Sequence, residues 1–85
     1  MKEFTYVIKD ELGIHARPAG LLVKAAGALK SEVKLAAHQK EVDAKRIMGV
    51  MSLGVKNGEE VKVIINGEDE EAGFEALQTF FAENL

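Results

Sequence analysis

No cysteine occurs anywhere in the chain, and that absence constrains the fold more than any other feature. With neither disulfides nor thiolate metal sites available, the 85 residues have to be held by hydrophobic burial alone. A chain of this length buries a modest fraction of its surface, which predicts one compact domain, residues 1–85, around one thin core. Apolar residues make up 47% of the sequence and charged residues 29%, the balance of a folded domain rather than of a disordered segment. The same absence removes any cysteine nucleophile.

The core has to come from the periodic segments that the sequence offers. Phe4-Thr5-Tyr6-Val7-Ile8 is short and rich in aromatic and β-branched residues, which predicts a strand with Phe4, Tyr6 and Ile8 on one face. Asp10-Glu11-Leu12-Gly13 breaks that pattern as a loop. Pro18, the one proline, has a fixed φ and no N–H to lose; it suits the first turn of a helix and places the start near His15 or Ala16. Ala19, Leu22, Val23, Ala26 and Leu29 then recur at helical spacing as a core stripe, with Gly20, Leu21 and Lys24 off it. Gly27 and Lys30 suit the end of that helix.

Residues 32–36 alternate polar and apolar as a half-buried strand does, His38-Gln39-Lys40 predicts a hairpin turn, and Glu41-Val42-Asp43-Ala44 the returning strand. The apolar run at 47–53 predicts a short helix held by packing, since it is too short to stand alone. Residues 61–65 are the most strand-like of all, between turns at Asn57-Gly58 and Asn66-Gly67. Asp69 is placed to cap a last helix, Glu70 and Glu71 to complement its dipole, and Phe74, Leu77 and Phe81 to share its buried face. The order β-α-β-β-α-β-α predicts an α+β open-faced sandwich, a four-stranded antiparallel sheet with three helices on one face.

The charge balance narrows the partners. Eleven basic and 14 acidic residues give a net charge of −3, with one tyrosine and no tryptophan. Nucleic-acid binding calls for a basic stripe or stacking aromatics, and neither is present. The start reads Met1-Lys2-Glu3-Phe4-Thr5 and turns polar at Lys9-Asp10-Glu11, without the apolar core of a signal peptide, and no stretch is long enough to span a bilayer. The expectation is a cytoplasmic monomer with no membrane insertion, and no metal or cofactor is implied.

The chemistry concentrates in Gly13-Ile14-His15-Ala16-Arg17-Pro18-Ala19. The first N–H groups of a helix have no intrahelical partner, and together with the helix dipole they form an anion site. Arg17 adds a planar fork of donors suited to phosphoryl oxygens. A positive helix end favours the neutral imidazole, whose free lone pair can attack phosphorus. One segment thus offers a nucleophile at His15, a phosphate cradle at Ala16, Arg17 and Pro18, and a cation. The plainer reading is a capping histidine followed by a solvated arginine.

The segment resembles the phosphorylation-site signature of the HPr family, the phosphocarriers of the bacterial phosphoenolpyruvate-dependent sugar phosphotransferase system. Lys45-Arg46-Ile47-Met48-Gly49-Val50-Met51-Ser52-Leu53-Gly54-Val55 resembles the second signature of the same family in its Gram-positive form. Two motifs in the right order, with matching length and element order, extend the resemblance over essentially the whole chain. It implies the HPr-like sandwich fold. It implies a carrier rather than an enzyme, taking a phosphoryl group from phosphorylated enzyme I and passing it to IIA domains of sugar permeases. It also implies that His15 is the acceptor, at Nδ1, and that Arg17 neutralises phosphoryl charge.

A docking surface is expected beside His15. Leu21 lies outside the core stripe, and Ile47, Met48 and Met51 are more apolar than a short helix needs for anchoring; the plainer reading is that all four complete the core. Adaptable methionines suit a surface that meets several partners. The resemblance implies that this patch, with Gly20, docks enzyme I and IIA proteins, and Lys24 and Lys45 would supply rim charge. His38 sits in a polar turn without a companion ligand and reads as solvated. Ser31 and Ser52 have no His or Asp at a suggestive spacing. Many Gram-positive members carry a regulatory serine just before Ile-Met-Gly-Val-Met; this chain has Arg46 there. Arginine cannot accept that phosphate, caps a helix poorly and opposes its dipole, so no regulation is expected at position 46.

Two other functions compete with the carrier. An HPr-like regulatory binding module would dock partners with little phosphoryl flux, and an intact His15 argues against it. An acylphosphatase-like hydrolase would need a phosphate loop and a residue to position water; Arg17 could serve, but no Gly-rich loop precedes it.

Overall fold

A computed structural model describes all of residues 1–85. The alternating run at 61–65 lies in β4 (Glu60–Asn66), an interior strand on which the sheet is assembled. β1 (Lys2–Val7) and β2 (Glu32–Ala37) flank it, β3 (Lys40–Asp43) lies beyond β2, and every pairing is antiparallel, giving the order β1-β4-β2-β3. Alternation puts Val61, Val63 and Ile65 on one face with Val33, Leu35 and Ala37, and all of these are buried. Three helices cover that face: α1 (Ala16–Gly27), α2 (Ile47–Ser52) and α3 (Glu70–Asn84). They bury Ala19, Leu22 and Ala26 from α1, Val50 from α2, and Leu77 and Phe81 from α3. This is the expected open-faced sandwich. No helix is long and apolar enough to cross a membrane.

The differences from expectation are local and physical. Phe4 and Tyr6 are only half-buried, because β1 is an outer strand of the sheet; their rings edge onto Phe81 at centroid distances of 5.8 and 5.5 Å. Val23, Leu29 and Phe74 likewise flank the core rather than fill it. Lys40 pairs with Ala37 and so belongs to β3, which leaves His38 and Gln39 alone in the turn. Both have positive φ, 53° and 61°, the left-handed pair that matches the twist of a tight hairpin. Histidine tolerates this region better than most residues.

His38 is exposed, as its polar surroundings suggested, but its ring is not without partners. Its Nδ1 lies 2.9 Å from the Leu53 carbonyl and its Nε2 2.9 Å from Glu59 Oε2. The ring ties the hairpin to the end of α2 and to the approach to β4. These hydrogen bonds, that of Glu59 foremost, raise the His38 pKa above its usual 6.5. The Lys56 N–H and then His38 hold the Glu59 carboxyl below its usual 4.5.

Asp69 is a second correction. It stands before α3 as expected, yet its side chain makes no cap bond to that helix. The carboxylate reaches instead to the loop after α1, accepting the Lys30 and Ser31 N–H groups at 2.9 Å each and the Ser31 hydroxyl. Ser31 Oγ in turn accepts the Asp69 N–H at 3.2 Å. Ser31 is buried, so this latch, joining the end of α1 to the start of α3, is what the serine does. The Ser31 hydroxyl first, and the Lys30 N–H next, lower the Asp69 pKa from 3.8 to about 2. A carboxylate whose folded pKa is depressed contributes stability that is full above 3.8 and is lost as the pH falls towards about 2. Asp69→Asn should lower the urea midpoint at about pH 6 and lose less than the wild type on acidification to about pH 3. Denaturation curves at the two pH values check this; equal acid losses in both proteins would contradict the latch.

Candidate functional site

The site begins in the loop that follows β1. Asp10 Oδ1 accepts the Leu12 N–H at 2.8 Å, and its backbone carbonyl accepts the Gly13 N–H at 2.9 Å, which closes a tight turn. Gly13 has φ +70°, and a Cβ there would lie 2.3 Å from the Val55 carbonyl oxygen, so glycine alone fits. The same oxygen accepts the Ile14 N–H at 3.0 Å, and the Ile14 side chain is buried. The chain therefore reaches His15 along one fixed path.

His15 is the N-cap of α1, with extended backbone, and its carbonyl accepts the Ala19 N–H at 2.9 Å. Its ring makes no cap bond, which removes the reading of His15 as a capping side chain. The ring is 35% exposed, and its Nε2 faces Asp10 Oδ2 at 3.4 Å. Ala16 and Arg17 occupy the first two helical positions, where backbone N–H groups lack intrahelical partners. Pro18 is buried and has no N–H. The cradle's backbone donors are thus Ala16 and Arg17, while Pro18 fixes the chain's direction. Arg17 is exposed and enters none of the protein's ion pairs, so its charge is uncommitted.

His15, Arg17, Pro18 and Leu21 line one shallow depression together with Asp10, Glu83 and Asn84. The last three were not singled out from the sequence. Asp10 is legible there as a turn residue, but its approach to His15 is a property of the folded loop. Glu83 and Asn84 arrive from the end of α3, and nothing local marks them.

The apolar patch is on the surface. Leu21 is 44% exposed, Ile47 43%, Met48 79% and Met51 39%, so these side chains do not complete the core. A Cβ built on Gly20 would sit 3.8 Å from Ile47 Cδ1, which seats α2 against α1, the helix that starts after His15. Lys24 is exposed one turn beyond Leu21 on the same flank. Lys45 does not join the rim: its Nζ donates to the Leu29 carbonyl at 2.8 Å, near the negative end of α1.

Arg46 occupies the N-cap of α2 without a side-chain cap bond and lies 81% exposed, its Nε 3.8 Å from Asp43 Oδ2. Asp43 Oδ1 accepts the Lys45 N–H at 2.8 Å and so shapes the turn that leads into α2. Ser52 Oγ donates to the Gly49 carbonyl at 2.6 Å and accepts from Lys40 Nζ at 3.2 Å, a structural assignment.

The family model described as the PTS HPr component phosphorylation site matches residues 2–83. The chain belongs to the HPr family. It is 41% identical over 83 residues to the phosphocarrier protein HPr of Lysinibacillus sphaericus, covering 98% of this chain and 94% of that one. The crystal structure of HPr from Thermoanaerobacter tengcongensis superimposes with a TM-score of 0.88 at 45% identity, covering all of both chains. Bacillus subtilis Crh, described as a catabolite repression protein with a domain-swapped dimer, matches at 41% identity and a TM-score of 0.78 over 94% of this chain and 92% of that one. HPr proteins are phosphocarriers of the phosphotransferase system rather than enzymes, which sets the hydrolase aside.

Gly13 and Gly54 separate steric necessity from conformational freedom. Gly54 also has positive φ, +61°, but nothing lies within 4 Å of a Cβ there. Gly54→Ala should cost about 1 kcal/mol in backbone strain alone. Gly13→Ala should cost more than about 2 kcal/mol, because the Val55 carbonyl has to move as well. Urea denaturation of the two variants checks the difference, and equal costs would contradict the pinned loop.

Proposed function

We propose that His15 accepts a phosphoryl group at Nδ1 from phosphorylated enzyme I and passes it to the IIA domains of sugar permeases. The observation that carries this reading is the His15 ring, free of any cap bond at the start of α1 and followed by the uncommitted Arg17. The backbone donors of Ala16 and Arg17 cradle the phosphoryl oxygens, and the Arg17 guanidinium offsets their charge. Phosphoryl transfer asks little of a protein beyond such positioning and electrostatics. A carrier has to release what it holds, and an open, shallow site serves that better than an enclosed pocket.

Leu21, Ile47, Met48 and Met51, with Gly20 between the helices, form the surface on which both partners dock in turn. Lys24 supplies rim charge towards acidic partners. The protein works in the cytoplasm as a monomer, meeting its donor and its acceptors one at a time. Arg46 leaves no hydroxyl to phosphorylate at the head of α2, so transfer is not gated there.

A regulatory module that docks partners with little flux is the second reading, supported by the likeness to Crh. Incubation with phosphoenolpyruvate, magnesium and purified enzyme I, followed by intact mass, separates the two. The carrier gains one acid-labile phosphoryl group, His15→Ala gains none, and Arg17→Ala is phosphorylated at least about tenfold more slowly. A folded wild-type chain that stays unmodified with several enzyme I proteins would support the regulatory module instead.

A further inference from the structure

The Asp10 carboxylate has one oxygen committed to the loop and one that is not. Oδ1 is held by the Leu12 N–H at 2.8 Å, and the Asp10 backbone is held on both sides, its carbonyl by the Gly13 N–H at 2.9 Å and its N–H by the Leu85 carbonyl at 2.8 Å. A turn fixed at three points does not need Oδ2. That oxygen faces His15 Nε2 at 3.4 Å, and no lysine or arginine competes for it. At 3.4 Å the two groups are within ion-pair distance rather than hydrogen-bonded; contacts of this kind are often long in a free protein and tighten when the partner is engaged.

We infer that Asp10 is the positioning residue for His15. A carboxylate opposite Nε2 favours the tautomer with the proton on Nε2, and so leaves the lone pair on Nδ1. It also fixes the rotation of the ring, which has no cap bond to hold it. The consequence for transfer is electrostatic. The Nδ1 lone pair forms the N–P bond while the phosphorus bond to the donor breaks, its electron pair leaving on the donor atom. The Nε2 proton stays where it is, so the ring acquires positive charge that the Asp10 carboxylate faces directly. On transfer to the acceptor the N–P electron pair returns to Nδ1 and that charge is cancelled. The ring is thereby prepared on one side for a reaction that occurs on the other. This rests on the reading of His15 as the acceptor.

Two variants and two readouts test it. Asp10→Asn keeps Oδ1 as acceptor for the Leu12 N–H but replaces Oδ2 by an amide NH2, which donates and so cannot accept Nε2–H; Asp10→Ala loses both contacts. With enzyme I as the donor, Asp10→Ala should lower kcat about tenfold while KM stays within about twofold of wild type, because misorientation acts on the chemical step. Asp10→Asn, which keeps the turn but places a donor opposite Nε2, should lower kcat at least as far. In the unphosphorylated protein, ¹⁵N shifts of His15 should report the Nε2–H tautomer alone in wild type, a mixture in Asp10→Ala, and a shift towards Nδ1–H in Asp10→Asn, whose NH2 faces Nε2. An Asp10→Ala variant with wild-type kcat, or with the wild-type tautomer, would overturn the inference. So would an effect confined to KM, or an Asp10→Asn variant that keeps wild-type kcat. If instead the wild type accepts no phosphoryl group while the tautomer responds to Asp10 as expected, the acceptor reading fails and the positioning of the ring stands.

Discussion

The Val55 carbonyl accepts the Ile14 N–H at 3.0 Å and occupies the space that a side chain on Gly13 would need, and this close approach decides where His15 sits. Ile14 is drawn into the core, the chain turns, and the next residue is left at the helix start with its ring unused. Had the loop stood one residue further out, the histidine would be an ordinary surface group. The Val55 carbonyl is itself anchored, because the Leu53 and Val55 side chains on either side of Gly54 are buried. The His15 loop and α2, with its exposed Ile47, Met48 and Met51, are thus two products of one crossing, and a change in the path of α2 would be felt at His15.

Burial and chemistry divide the sequence between them. The buried faces of the sheet and helices are filled by Val, Leu, Ile, Ala and Phe81 with no competing polar demand except Ser31, and that one is met by Asp69. Everything reactive stands outside: Arg17 and the apolar patch are exposed, and the His15 ring is partly so. A thin core without disulfides holds the site in place because loop contacts supplement it. The Asp69 latch, the His38 bridge and the Lys45 contact each join segments that are distant in sequence.

Much of this was legible in the residues. Alternation at 61–65, the stripe Ala19, Leu22 and Ala26, and the single proline sufficed for element order and fold class, since each is a local pattern with a period. His15 and Arg17 were legible because Pro18 marks the helix start. What could not be read was where long polar side chains go once distant segments meet. His38, Asp69 and Lys45 look like turn, cap and rim residues in their own neighbourhoods, and the structure gives them partners at Leu53 and Glu59, at Lys30 and Ser31, and at Leu29. Asp10 belongs with them. Its turn was expected, but the second carboxylate oxygen finds His15 only because the loop is folded back at Gly13.

Family membership makes this chain a phosphocarrier, and with His15 as the proposed acceptor the open depression around it is suited to surrendering the group. Transit rather than storage distinguishes a carrier, and following the phosphoryl group itself tests it. The chain is loaded with ³²P-labelled phosphoryl groups, freed of donor and mixed with a purified IIA domain, and both proteins are separated and counted. A carrier hands the label to the IIA domain and returns to its unmodified mass. Label that stays on the chain, or that appears only as inorganic phosphate, would contradict the account.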